Sequence, residues 1–259
     1  MDITERKKAE EKLKSQNEEL EKMNKELEAF TYISSHDLQE PLRKIQLFAA
    51  RILDSDFQQL SEKGKDYFER MQNAAERMQR LIQDLLSYSH ANTSQDDLEF
   101  INLNSIVDDV ILEFSETIAE KDAIIEVQEL GEIQIFHFQF RQLMHNLIGN
   151  SLKFSRPGHP PHIRIESRVI NGKHLKDDNI ISDKKYYHLR LEDNGIGFDK
   201  EHQEKIFDVF QRLHGKNDYP GSGIGLAIVK KIVENHNGTI TAGSAIDQGA
   251  IFDIYLPID

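Results

Sequence analysis

The sequence predicts two unlike parts: a pair of long helices folded back as a hairpin, then a domain mixing helices with strands and turns. Three observations predict this. Before residue 131 the only glycine is Gly64 and the only proline is Pro41, while the other thirteen glycines and five prolines lie from Gly131 onward. Two apolar stripes at helical spacing fill the first part. Short alternating runs bounded by turn residues fill much of the second.

Composition removes several function classes. The 259 residues allow one or two domains. A net charge of −13 and the lack of a basic patch argue against nucleic-acid binding. Cysteine is absent, which excludes disulfides and thiolate metal sites and fits a reducing, cytoplasmic setting. No apolar run approaches bilayer-spanning length, and no signal-peptide pattern opens the chain, so no membrane contact is expected.

Sixteen of the first thirty residues are charged, with both signs mixed. Among them Leu20, Met23, Leu27 and Phe30 keep the 3,4,3 spacing of a coiled-coil seam. The seam continues through Leu38, Leu42, Ile45, Ala49 and Ile52 and breaks at DSDFQQLSEKG. A second stripe follows at Phe68, Met71, Ala75, Met78, Ile82 and Leu85. Two helices with one stripe each bury little alone, so a homodimer forming a four-helix bundle is expected.

The stretch SSHDLQEPLR interrupts the first stripe. Pro41 removes a helical hydrogen bond and crowds the carbonyl four residues back, that of Asp37, which predicts a kink. His36 falls between seam positions and should face outward. Asp37 can orient its imidazole and hold one ring nitrogen protonated, leaving the other as nucleophile.

Residues 138–155, FQFRQLMHNLIGNSLKFS, read as a helix that buries Leu143, Leu147 and Phe154. Asn146, Asn150 and Lys153 share an adjoining face, either a solvated surface or a polar site. One amide oxygen is a plausible protein share of Mg²⁺, which keeps waters and phosphate oxygens. Lysine supplies a point charge for phosphate. The strand YYHLRL then leads into EDNGIGF. Asn-Gly there fits a hairpin turn, but the helix-like DKEHQEKIFDVFQRL follows instead of a returning strand. Asp193 beside Gly195 and Gly197 can meet a flat ligand closely and accept from an exocyclic amine such as that of adenine. Gly221, Gly223 and Gly225 open an amphipathic helix whose amides can bind phosphate. The preceding HGKNDYP reads as a lid. The closing GTITAGSAIDQGAIFDIYLP reads as two strands and a turn.

Taken in order, these motifs resemble the core of a sensor histidine kinase. SSHDLQEPLR resembles the H box, HNLIGNSLKFS the N box, DNGIGF and GSGIGLAI the glycine boxes, and IFDVFQRLH the F box. The HDLQEPL wording is similar to the phytochrome-like branch, and DITERKKAEEKL to the tail of a PAS sensor running into a signalling helix. The resemblance implies a coiled-coil linker at 1–30 after an upstream PAS domain, a dimerisation and phosphotransfer hairpin at 20–92, and at 100–259 an α/β sandwich ATPase of the gyrase B and MutL type. It implies His36 as phosphoacceptor and Asp37 as its acidic partner. It implies ATP and Mg²⁺ bound by Asn150 as metal ligand, with Asn146 and Lys153 near the phosphates. Asp193 would take the adenine, Arg212 would reach the γ-phosphate, and Gly195, Gly197, Gly221, Gly223 and Gly225 would cradle the nucleotide. The implied partner is a response-regulator receiver domain. A superfamily ATPase without a phosphoacceptor and a dimeric pseudokinase scaffold stay open as alternatives. Glu40 stands four residues after His36, where many relatives carry Thr or Asn, and implies weak or absent phosphatase activity.

Overall fold

The computed structural model describes residues 3–55, 60–90, 98–174, 183–213 and 222–258, with the side chains at 3–6, 8–11, 17–18, 20–21, 24–34, 36, 54–55, 88–90 and 174 outside that description, those of Leu20, Leu27, Phe30 and His36 among them. The chain divides into two units, Met1–His90 and Ala91–Asp259.

The first unit is a helical hairpin of α1 (Ile3–Ser55) and α2 (Glu62–His90). Ser61 caps α2: its hydroxyl accepts from the Gly64 N–H at 3.2 Å, satisfying a donor left over at the helix start. The predicted kink does not break α1, which stays helical through Pro41. A proline costs one ladder bond, and a helix anchored on both sides of it can bear that cost of roughly 3 kcal/mol. The predicted seam splits in two. Leu42, Ala49, Phe68, Ala75 and Ile82, spaced by sevens on each helix, are buried within the unit. Leu38, Ile45, Met71, Met78 and Leu85, the alternate seam positions, are exposed. One antiparallel neighbour covers only one of two adjoining rows. Glu40, also exposed, pairs with Lys44 one turn along at 2.8 Å, worth a few tenths of a kcal/mol.

The second unit begins well before Gly131. Strand β1 (Glu99–Asn102), helices α3 (Leu103–Glu113) and α4 (Ser115–Glu120) and strand β2 (Ile124–Val127) all precede it. Glycine and proline content therefore misplaces the change of architecture, because α3 and α4 need neither residue. Next come β3 (Glu132–Ile135), α5 (His137–Lys153), β4 (His162–Asn171), β5 (Lys185–Asp193), α6 (Gly225–Asn235), β6 (Thr239–Ser244) and β7 (Ala250–Ile258). The main sheet has the order β2-β4-β5-β7-β6, parallel between β2 and β4 and antiparallel elsewhere, while β1 and β3 pair separately.

Alternation on β5 and β7 sends Leu189, Leu191, Phe252 and Ile254 to one face. Against it lie the apolar sides of α5, with Leu143, Leu147 and Ile148, and of α6, with Ile228, Ile232 and Val233. Each such fully buried side chain contributes roughly 1.5–3 kcal/mol. The inner face also carries Tyr187, whose hydroxyl donates to the Leu130 carbonyl at 2.8 Å and whose pKa burial pushes up to about 12. On the outer face Arg168 donates to Nδ1 of His188, so the ring proton sits on Nε2 and is donated to Asp253 at 2.6 Å. Burial raises the Asp253 carboxyl, but the bonds from His188 and Arg190 outweigh it and hold the group below its usual range.

Two sequence expectations fail here. DKEHQEKIFDVFQRL is not a helix but two single 3₁₀ turns, Lys200–His202 and Lys205–Phe207. Asp199 caps the first turn through the Glu201 N–H, and only the adjacent pair Ile206 and Phe207 is buried, so no helical stripe exists to extend. Helix α5 stops at Lys153, leaving Phe154 as a half-buried C-cap and not a core residue.

Candidate nucleotide site

The C-terminal half of α5, the end of β5 and the start of α6 converge in the second unit. Asp193 ends β5 with its carboxylate pointing inward. Its Oδ1 accepts from the backbone N–H of Gly195 at 2.9 Å and of Ala250 at 3.1 Å, and its Oδ2 accepts from the Ser151 hydroxyl at 3.0 Å. Burial raises its pKa, and these three donors act against that rise. The result is an acceptor held in one orientation, suited to an exocyclic amine.

Gly195 lies against the end of α5. A Cβ there would stand 2.6 Å from the Phe154 carbonyl, which already accepts from Ile196 N–H at 2.9 Å. Gly197 takes φ +64°, a left-handed conformation costly for other residues, and packs on the Ala245 carbonyl. Asn194, between Asp193 and Gly195, bonds through both ends of its amide, accepting from His162 N–H and donating to the Pro160 carbonyl.

Asn146, Asn150 and Lys153 are half-buried along one face of α5. The Asn146 amide donates to the Gln142 carbonyl at 3.0 Å, which turns its oxygen toward Gly225, the first residue of α6. Lys153 places its ammonium 4.4 Å from the Phe154 ring centroid. The Asn150 side chain makes no hydrogen bond among the described residues. No group of three His, Cys, Asp or Glu that could hold a metal exists among the described residues. One neutral amide oxygen without carboxylates fits Mg²⁺ held mainly by water and phosphate oxygens, and does not fit a metal needing a protein cage.

Gly223 has φ +78°, and a Cβ on it would meet the Gln211 carbonyl at 2.8 Å and Cγ of Arg212 at 3.1 Å. Arg212 is thereby set beside the approach to α6. Helix α6 starts at Gly225, later than the glycine run predicted. Gly221 and the HGKNDYP loop lie outside the described residues. His36 and Asp37 belong to the other unit, on α1, with Asp37 exposed.

Comparison with known families follows this division. Residues 26–94 match the His Kinase A (phospho-acceptor) domain, and residues 137–259 match the histidine kinase-, DNA gyrase B- and HSP90-like ATPase. The chain belongs to the histidine kinases. This histidine kinase core is 34% identical over 229 residues to phytochrome-like protein Cph1 of Synechocystis sp., covering 88% of the chain and 29% of that protein. It is 31% identical over 233 residues to the sensor protein kinase WalK of Staphylococcus epidermidis, covering 87% of the chain and 35% of that protein. The chain thus spans about a third or less of the length of these relatives. In fold it is similar to full-length ShkA, crystallised with AMPPNP, at a TM-score of 0.63 and 21% identity, over 88% of this chain and 45% of that one. An ATP-binding domain of the kinase type therefore follows a phosphoacceptor-type hairpin. Among the described residues no helix is long and apolar enough to cross a membrane.

Sequence reasoning missed Ser151 and Ala250, which complete the hold on Asp193. Ser151 is buried in α5 among mostly apolar residues, with Gln139 the other buried polar one, and its place directly after Asn150 is the only signal for it. Ala250 acts through its backbone, which no side-chain pattern records.

Proposed function

We propose that this histidine kinase core binds ATP through the Asp193 site, transfers its γ-phosphoryl group to His36, and passes that group to an aspartate of a response-regulator receiver domain. The observation that supports this most is the three-donor hold on Asp193 in the same unit as the Asn146 contact with the start of α6. Adenine is recognised at one end by a fixed acceptor, and phosphates are received at the other by helix amides and Lys153. Gly195, Gly197, Gly221, Gly223 and Gly225 keep the backbone close to the nucleotide, and Arg212 reaches the γ-phosphate.

Phosphoryl transfer is mostly positioning and charge neutralisation. Mg²⁺, with Asn150 as its protein ligand, supplies that neutralisation when bound. Asp37 keeps a proton on one ring nitrogen of His36, so the other carries the attacking pair. The new N–P bond forms as the bond from phosphorus to the β,γ-bridging oxygen breaks, and that oxygen leaves with ADP. The phosphoimidazole is labile, which suits onward transfer. The exposed Leu38, Ile45, Met71, Met78 and Leu85 face supports a homodimer of hairpins. A PAS sensor upstream and a cytoplasmic setting complete the reading.

The test is incubation with γ-labelled ATP followed by acid and base treatment. Acid-labile, base-stable label on the chain is expected. Label that survives acid as an ester, or turnover with no labelled protein, would overturn the phosphoacceptor reading.

A further inference from the structure

We propose that Arg156 is a positioning residue for adenine recognition, a role that rests on the Asp193 reading above. Arg156 is half-buried in the loop after α5. Its Nε donates to the Asn194 carbonyl at 2.8 Å and its Nη1 to the Asp247 carbonyl at 3.0 Å. Those carbonyls sit on two separate loops, one after β5 and one between β6 and β7. Gly195 in the first loop and Ala250, the first residue of β7 directly after the second, supply the N–H groups that hold Oδ1 of Asp193. One planar guanidinium therefore sets the spacing of the two backbone donors that aim the carboxylate.

A second bond closes the arrangement, from Asp247 N–H to the Ile196 carbonyl at 2.8 Å. Asp247 takes φ +61°, an uncommon backbone state for a residue with a side chain, so the turn depends on the partners holding it. Among the described residues Arg156 makes no ion pair, and its donors go to carbonyls. Lysine in its place would keep the charge and lose the fork.

The experiment is calorimetric binding of Mg-ATP and Mg-GTP to the chain and to Arg156→Met, Arg156→Lys and Asp193→Asn. In Arg156→Met, ATP affinity should fall about tenfold and GTP affinity little, narrowing the ATP/GTP ratio. Arg156→Lys should fall with it. Full ATP affinity in Arg156→Lys would show that charge alone suffices and overturn the proposal. Equal losses for ATP and GTP in Arg156→Met would also overturn it, as a general loss of structure. If Asp193→Asn narrows the ratio and Arg156→Met does not, Arg156 is excluded and the site stands. If neither variant narrows it, both assignments fall.

Discussion

Asn146 and Gly225 stand against each other across the α5–α6 interface, where a Cβ on Gly225 would lie 3.0 Å from the Asn146 amide oxygen. Asn146 is anchored to Gln142 one turn back, so it cannot turn away without losing that bond. The close approach lets the start of α6 and the polar face of α5 serve one ligand.

Gly225→Ala therefore separates binding from folding. At the first residue of α6 alanine gains less than the roughly 1 kcal/mol of a helix interior, which offsets the cost of moving Asn146, so the melting temperature without nucleotide should change little. ATP affinity should fall about tenfold as Asn146 is displaced. Calorimetry on the variant checks both, and unchanged affinity would show that the Asn146–Gly225 contact does not shape the site.

Asp193→Asn should lose most nucleotide affinity, by about 2–3 kcal/mol for a recognition bond to a charged group. Stability without ligand should move the other way. Burial is the main cause of the raised Asp193 pKa, so the folded unit disfavours the carboxylate relative to the unfolded chain. The folded form is then favoured at pH values below the usual carboxylate pKa and loses that advantage as pH rises through the raised value. At neutral pH the neutral Asn should be at least as stable as wild type. Melting curves at pH 7 and pH 4 test this, and a strongly destabilised variant at pH 7 would contradict it.

Much of this site was legible because its residues follow local periodicities. Asn146, Asn150 and Lys153 are spaced along one helix, and Asp193 ends an alternating strand before a glycine turn. Arg156 was not legible, because its partners Asn194 and Asp247 come from loops far along the chain. The F-box segment looked helical because its charged residues are good helix formers, yet Val209 and Phe210 are exposed and Phe210 has φ +65°. The stripes from Leu38 along α1 and along α2 hold both a buried and an exposed heptad row, and spacing alone does not say which row packs inside the hairpin.

That division yields a paired prediction. Ile45→Glu together with Met78→Glu should leave hairpin helicity intact and shift the chain to monomer in sedimentation at micromolar concentration, because both positions are exposed within one chain. Leu42→Ala should instead cost about 2–5 kcal/mol of stability, since Leu42 packs in a buried cluster with Ala75 and Ile82. A double variant that stays dimeric would place the interface elsewhere.

His236 joins the C-terminus of α6 to the start of α5. Its Nδ1 donates to the Ile232 carbonyl at 2.7 Å, and its Nε2 accepts from Phe136 N–H at 3.1 Å. Burial lowers its pKa, so the unfolded chain takes up a proton first as pH falls. Its stabilising share is complete above the ordinary histidine pKa, about 6.5, and declines below it toward the lowered value. The melting-temperature gap between wild type and His236→Gln should narrow as pH drops from 7 to 5. A gap that stays constant would mean that His236 does not carry this dependence.

Glu40 bears on the phosphatase reaction, hydrolysis of the regulator's acyl phosphate. An ionised carboxylate donates no hydrogen bond and repels an incoming acyl phosphate by about 1 kcal/mol at contact near the surface. A phosphorylated response regulator should lose its phosphate slowly with wild type and faster with Glu40→Thr. Fast wild-type dephosphorylation that Glu40→Ala leaves intact would mean that another residue positions the attacking water.

The most direct test of the account is the position of the phosphate itself. Wild type and His36→Gln, each incubated with γ-labelled ATP and Mg²⁺, are compared for acid-labile label and for ATP affinity. The account predicts label mapped to His36 in wild type, none in the variant, and equal ATP affinity in both. Wild-type labelling of His36→Gln would contradict it.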